Sequence, residues 1–263
     1  MSPKQSHRKT MIRIMFIIIL ILSGIFLFDF LSQQGSTKDF TDEFNRYNAD
    51  RWKISGPWGN GVPFLNSWRE DHMVFTDGIL RIRLDDTPCA TDPTQCAGRP
   101  YASGEYRSKE IYHYGCFESR FKTVQEDGVV TSLFIYSGEL PNLTHDEIDI
   151  EILGNDPTKM QINYFTNGIS HPKMIDLGFN AASAFHEYAI EWTRNNISWY
   201  VDGVLFHTED GSNGDLPQHA GYIMMNLWPV DETAVGWAGE FHNPGVPIYA
   251  EYDWFKFSES PCK

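Results

Sequence analysis

Residues 145–154 read His-Asp-Glu-Ile-Asp-Ile-Glu-Ile-Leu-Gly, and this alternation of acid with isoleucine admits few structures. A period of two is that of a β-strand, which puts Glu147, Asp149 and Glu151 on one face and Ile148, Ile150 and Ile152 on the other. One side is then a sheet surface with three carboxylates in a row, the other a hydrophobic core. Like charges this close repel, so the arrangement holds only where protons, cations or a bound molecule relieve it. A solvent-facing strand, the plain alternative, would mix charge signs.

The spacing limits the chemistry. Four residues of strand separate the Glu147 and Glu151 backbones by ~13 Å. With both side chains leaning inward, roughly 5–6 Å remains between the carboxyl groups, near the ~5–5.5 Å at which glycosidases retain anomeric configuration. Asp149 sits midway on a shorter side chain, able to hydrogen-bond a glutamate without filling the gap.

The rest of the chain supports an all-β class. It has 263 residues, 14% of them aromatic, with 21 glycines and 14 prolines. Short alternating runs recur with almost no helical period, as expected for a two-sheet antiparallel β-jelly-roll sandwich. Hairpins are predicted around Asp77-Gly78 and Asp202-Gly203. One long strand is expected over Ile111–Lys122, and others at Val129–Ser137, Met160–Phe165, Tyr222–Trp228 and Ile248–Phe257. Tyr136 shares a face with Phe134 and is expected to line a cleft. Gln161, Asn163 and Phe165 share a face, and buried amides need partners such as sugar hydroxyls. Trp228 and Trp237 offer flat apolar faces to pyranose rings, whereas Trp254 reads as core.

The formal charge of −14 argues against nucleic acid or an anionic membrane surface as partner and leaves a neutral polysaccharide acceptable. No Gly-rich phosphate loop and no zinc-spaced His/Cys cluster occurs. Lys4, Arg8, Lys9 and Arg13 precede an apolar run from Ile14 to Phe28. As a helix that run is ~22 Å long, short of a ~30 Å hydrocarbon core, which suits a signal peptide. No clean small-x-small cleavage site follows, so residues 1–31 are a cleaved signal or a retained N-terminal membrane anchor. Residues 32–38 form a linker and 39–263 the domain, expected to be secreted, cell-surface or periplasmic. Four cysteines in an exported chain suggest disulfides. Of three connectivities, Cys89–Cys96 with Cys116–Cys262 is preferred.

The acid strand and five further blocks resemble glycoside hydrolase family 16, and within it the bacterial licheninases (endo-β-1,3-1,4-glucanases). The blocks are Gly104-Glu105-Tyr106-Arg107-Ser108, Gln161-Ile162-Asn163-Tyr164, Trp199-Tyr200-Val201-Asp202-Gly203-Val204, Met224-Met225-Asn226-Leu227-Trp228 and Ala250-Glu251-Tyr252-Asp253-Trp254. The resemblance implies a monomeric retaining endo-β-glucanase with an open concave cleft. It makes Glu147 the nucleophile, Glu151 the acid and base, and Asp149 their helper. It also puts Trp58 and Asn60 on sugar-contacting positions and Glu105 and Arg107 on the cleft floor. Catalysis would need no cofactor. A structural Ca2+ is expected from the match of Gly78 and Asp253, with Glu43 contributing backbone oxygen.

Departures are equally specific. Ser67 and Ser103 stand near the licheninase disulfide positions. His145 stands where licheninases usually have tryptophan, so that His-Asp-Glu-Ile-Asp looks more like plant-type xyloglucan endotransglycosylases. No extra residue separates Asp149 from Glu151, unlike in laminarinases, which carry a bulge there. An exopolysaccharide glycanase or a xyloglucan-type endotransglycosylase/hydrolase remains an alternative, and a glycan-binding lectin a remoter one.

Overall fold

The computed structural model describes residues 38–138 and 145–262, and Asp39–Lys263 forms one compact unit. The signal or anchor expected over 1–31 lies outside the described residues. Among the described residues no helix is long and apolar enough to cross a membrane.

The chain runs through β1 (Phe40–Asp42), β2 (Trp52–Ile54), β3 (Trp58–Gly59), β4 (Asn66–Trp68), β5 (Met73–Thr76), β6 (Ile79–Leu84) and β7 (Tyr101–Ser103). It continues with β8 (Glu105–Tyr112), β9 (Gly115–Lys122), β10 (Val129–Tyr136), β11 (Glu147–Leu153), β12 (Lys159–Thr166), β13 (Ile169–Ser170) and β14 (Lys173–Asp176). β15 (His186–Trp192), β16 (Ile197–Val201), β17 (Val204–Glu209), β18 (Gly221–Pro229), the single turn α1 (Val235–Ala238) and β19 (Ile248–Ser258) complete it.

The strands form two large antiparallel sheets. The cleft sheet has the order β13-β12-β11-β10-β18-β8-β2, with β14 beside β12; the outer sheet has β17-β16-β15-β9-β19-β6-β5, with β1 beside β19. A small sheet β3-β4-β7 joins β4 and β7 in parallel.

Local chemistry explains the tight turns. Asp77-Gly78, Asn167-Gly168 and Asp202-Gly203 all have positive φ at both residues, the requirement of the two-residue hairpins that join β5 to β6, β12 to β13 and β16 to β17. The long strand expected over 111–122 is instead two, broken at His113-Tyr114. Gly115 takes φ 149°, and a Cβ there would lie 2.4 Å from the Ser258 carbonyl oxygen. The chain therefore crosses from one sheet to the other at this point.

The core lies between the sheets. Ile148, Ile150 and Ile152 of β11 are buried with Leu133, Ile135, Ile162, Ile223 and Met225, facing Phe117, Tyr188, Trp199, Tyr252 and Phe255 of the outer sheet. Two bonds cross this core to the backbone beneath the acids. Trp199 Nε1 donates to the Asp149 carbonyl (3.1 Å), and the Tyr252 hydroxyl donates to that of Ser132 (2.8 Å). Buried polar tips that find carbonyl partners lose little on burial and hold the two sheets in one alignment.

Cysteines pair as Cys89–Cys96 and Cys116–Cys262. The expectation for the tryptophans is reversed in part. Trp228 is 5% exposed and packs 4.1 Å from the Phe64 ring, whereas Trp254 is only half-buried. A register shift in β19 between Tyr252 and Trp254 turns the latter out of the core pattern.

Candidate active site

β11 pairs with β10 and β12 in unbroken register from Glu147 to Glu151, with no bulge among the acids. All three acids therefore rise from one face into a cleft of about 640 Å³. The register sets out rows across the floor. Glu151 lies between Gln161 and Ser132, with Asn226 and Glu105 beyond; Asp149 lies between Asn163 and Phe134; Glu147 lies between Phe165 and Tyr136.

The structure gathers at the cleft nearly every residue expected there: Trp58, Asn60, Glu105, Tyr136, His145, Asn163, Phe165, Trp228 and Trp237. Arg107 is the exception. Its guanidinium lies 4.1 Å from the centre of the Tyr222 ring, outside the cleft lining, although Arg107 lies opposite Met224 on the same strand face as Glu105. Trp58 is 38% exposed and free to meet a sugar face, while Trp228 offers little more than an edge.

The acids differ in surroundings. Asp149 is buried, and desolvation, then the Glu147 and Glu151 charges, raise its carboxyl well above the ordinary range; it hydrogen-bonds Glu147. Glu151 is pushed up to about 8, first by desolvation and then by Glu147. Burial thus outweighs the acidic neighbours that the sequence makes conspicuous. Gln161 Nε2 donates to Glu151 Oε2 (2.9 Å), which favours the ionised form and opposes part of that rise. Trp237 Nε1 donates to Gln161 Oε1 (2.8 Å), fixing which way the amide points.

Glu105 is also buried, and desolvation raises it despite bonds from the Ser55 hydroxyl (2.8 Å) and Asn226 Nδ2 (3.2 Å). Ser132 Oγ donates in turn to Asn226 Oδ1. Glu147 accepts from both sides, with Asp149 on one and His145 Nε2 on the other. Among the four cleft acids, three are held toward the neutral form and the remaining one is surrounded by donors. That is the division of labour a nucleophile and a proton donor require.

Sequence reasoning passed over Ser132, Phe64, Phe134 as a lining residue, and the part played by Asn226. Alternation on β10 from Tyr136 would have marked Phe134 and Ser132; nothing local marks Phe64. Beyond the floor, Arg99 Nη2 donates to the Asn60 carbonyl, tying the Cys89–Cys96 loop to the cleft rim.

For the expected calcium position, Asp42 lies opposite Phe255 and Leu80 opposite Tyr252, so Glu43, Gly78 and Asp253 fall near one another where β1 and the β5–β6 turn flank β19. The Asp253 carboxylate there is ion-paired with Arg120. No group of three or more His, Cys, Asp or Glu suited to a metal occurs among the described residues.

Comparison with known proteins agrees with this geometry. A sequence model described as Glycosyl hydrolases family 16 matches residues 60–254. A beta-glucanase of Bacillus subtilis (strain 168) is 39% identical over 254 residues, covering 92% of this chain and 97% of that protein. One of Paenibacillus macerans is 42% identical over 224 residues, covering 84% and 88%. A crystal structure of a prokaryotic beta-1,3-1,4-glucanase (lichenase) from a mouse hindgut metagenome superposes with a TM-score of 0.77 at 36% identity, covering 84% of this chain and 99% of the other.

Proposed function

This chain belongs to glycosyl hydrolases family 16, and from that premise we propose that it cuts internal bonds of mixed-linkage β-1,3-1,4-glucan with retention of configuration. It is a glycoside hydrolase with a polysaccharide substrate. The observation that carries the finer reading is the pair Glu147 and Glu151 on one face of β11, one surrounded by donors and the other held protonated, over a cleft lined with aromatics and amides.

In the first step Glu147 attacks the anomeric carbon as the Glu151 proton passes to the departing glycosidic oxygen, leaving a covalent glycosyl-enzyme ester. In the second, Glu151 takes a proton from water as that water displaces Glu147, restoring both groups. Asp149, kept neutral, donates to Glu147 and couples the three titrations. Trp58 and the amides of Asn60 and Asn163 meet the sugar rings and hydroxyls. No step passes through a metal. A calcium ion beside β19 would draw on the Glu43 and Gly78 carbonyls and Asp253, in competition with Arg120, and would supply stability alone. The two disulfides support work outside the cytoplasm.

Barley β-glucan, laminarin and xyloglucan, incubated with wild type and with Glu147→Ala, test the reading by release of reducing ends. Barley β-glucan is expected to be cut fastest. Glu147→Ala should be inactive and, with azide on an activated aryl glycoside, should form the inverted glycosyl azide. Binding without release of ends overturns the hydrolase reading in favour of a lectin. Preference for xyloglucan moves the substrate to the endotransglycosylase class that His145 suggests.

A further inference from the structure

His145 lies two residues before the first residue of β11, and the fold fixes it more firmly than a rim residue needs. Its carbonyl accepts from Gly168 N (2.8 Å) in the β12–β13 turn. The next residue, Asp146, is buried and accepts at its carboxylate from Asn167 N (3.1 Å), Gln218 N (2.8 Å), His219 N (3.1 Å) and His219 Nδ1 (2.8 Å). Two separate loops are thereby anchored to the residue between His145 and Glu147. The imidazole itself stacks on Phe165 at 4.5 Å and 20° and meets Tyr136 edge-on at 5.2 Å and 78°. Backbone and ring are both held, and what they present is Nε2, bonded to Glu147 Oε2.

A carboxylate can only accept, so the proton of that bond sits on His145 Nε2 whenever Glu147 is ionised. Hydrogen bonds to a charged group are the stronger kind, and this one, together with the bond from Asp149, fixes a side chain with three torsions. We propose that His145 is a positioning residue for the nucleophile: its Nε2–H holds one oxygen of Glu147 and turns the other toward the anomeric carbon. This rests on the reading of Glu147 as nucleophile. In the first step that other oxygen forms the bond to the anomeric carbon while the leaving oxygen takes the Glu151 proton. In the second, water attacks that carbon, Glu151 accepts the proton, and the electron pair of the ester bond returns to Glu147. The His145 N–H lies on the ester's carbonyl oxygen, which shares the returning charge through carboxylate resonance, so it assists release of the sugar as well as attack.

The titratable groups around that carboxylate are Tyr136 from β10, Asp149 and Glu151 from β11, and Glu105 from β8 across the floor. All of these are acids or phenols; among the described residues His145 brings a basic group to this corner, and Arg107 of β8 acts on Glu105.

The test uses the full chain on barley β-glucan, with His145→Phe, which keeps the stack and loses the donor, and His145→Gln, whose amide restores a donor. His145→Phe is expected to lose roughly tenfold or more in kcat with KM little changed. His145→Gln should recover most of that loss. A Phe variant with unchanged kcat but a raised KM overturns the proposal, since the ring is then only a sugar platform; so does a Gln variant no better than Phe. If His145→Phe does not fold, His145→Gln decides alone: a wild-type kcat sustains the proposal and a tenfold loss overturns it. A wild type that releases no ends, or an active Glu147→Ala, overturns the functional reading and this role with it, whereas a failure confined to the His145 variants leaves that reading standing.

Discussion

Replacing Glu151 with glutamine should make the protein more stable at alkaline pH while abolishing its function, and the size of the effect follows from the site. Burial and the Glu147 charge raise Glu151 from 4.5 to about 8. Between these values the folded protein holds a proton that the unfolded chain has released, so the stability contributed by this group is complete below about pH 4.5 and is lost as pH rises through about 8. At 1.36 kcal/mol per pH unit the ceiling is roughly 5 kcal/mol. Glu151 is only half-buried and shares its titration with Glu147 and Asp149, so solvent and coupling reduce this to about 2 kcal/mol. The substituted glutamine has the same shape as the glutamate, carries no charge and offers a carbonyl to the Gln161 amide. Thermal unfolding of wild type and Glu151→Gln between pH 4 and pH 9 should therefore show the variant gaining about 4–8 °C relative to wild type as pH rises, at ~2–4 °C per kcal/mol for a domain of this size. A Tm difference that stays constant across that range would refute the assignment of Glu151 as the acid kept protonated by burial.

Two further outcomes are expected. Gln161→Met removes the N–H that favours ionised Glu151, so the alkaline limb of the pH–kcat profile should move to higher pH; movement to lower pH would show that the amide acts otherwise. Cys116→Ser with Cys262→Ser opens a link across 146 positions, and Cys89→Ser with Cys96→Ser one across 7. Loop-closure entropy gives roughly 5 and 2.5 kcal/mol, so denaturant unfolding should show about twice the loss for the first pair.

Parts of this protein are written locally. The Asp-Gly dipeptides at 77–78 and 202–203 specify hairpins because each needs two residues at positive φ and L-residues other than Asn and Asp resist that conformation. The acid strand is legible because side chains alternate across a pleated backbone whatever it pairs with. The pairing of the cysteines also agrees with expectation. Trp254 was misplaced because it follows a register shift in β19, and a one-residue slip sends a side chain where strict alternation does not. Arg107 keeps the face that alternation gives it, opposite Met224, and its long side chain carries the guanidinium onto the Tyr222 ring.

What the chain determined by itself was therefore the strand, its carboxylate face and the class of chemistry that face can perform, since these depend on neighbours two and four residues away. The division of roles among the acids came from tertiary structure. Trp237 reaches Gln161 across 76 positions to steer the amide on Glu151, Asn226 reaches Glu105 across 121, and Trp199 fixes the backbone beneath Asp149 across 50. Protonation states answer to burial and to donors brought in from distant strands, and both come into being only when the two sheets close on their core.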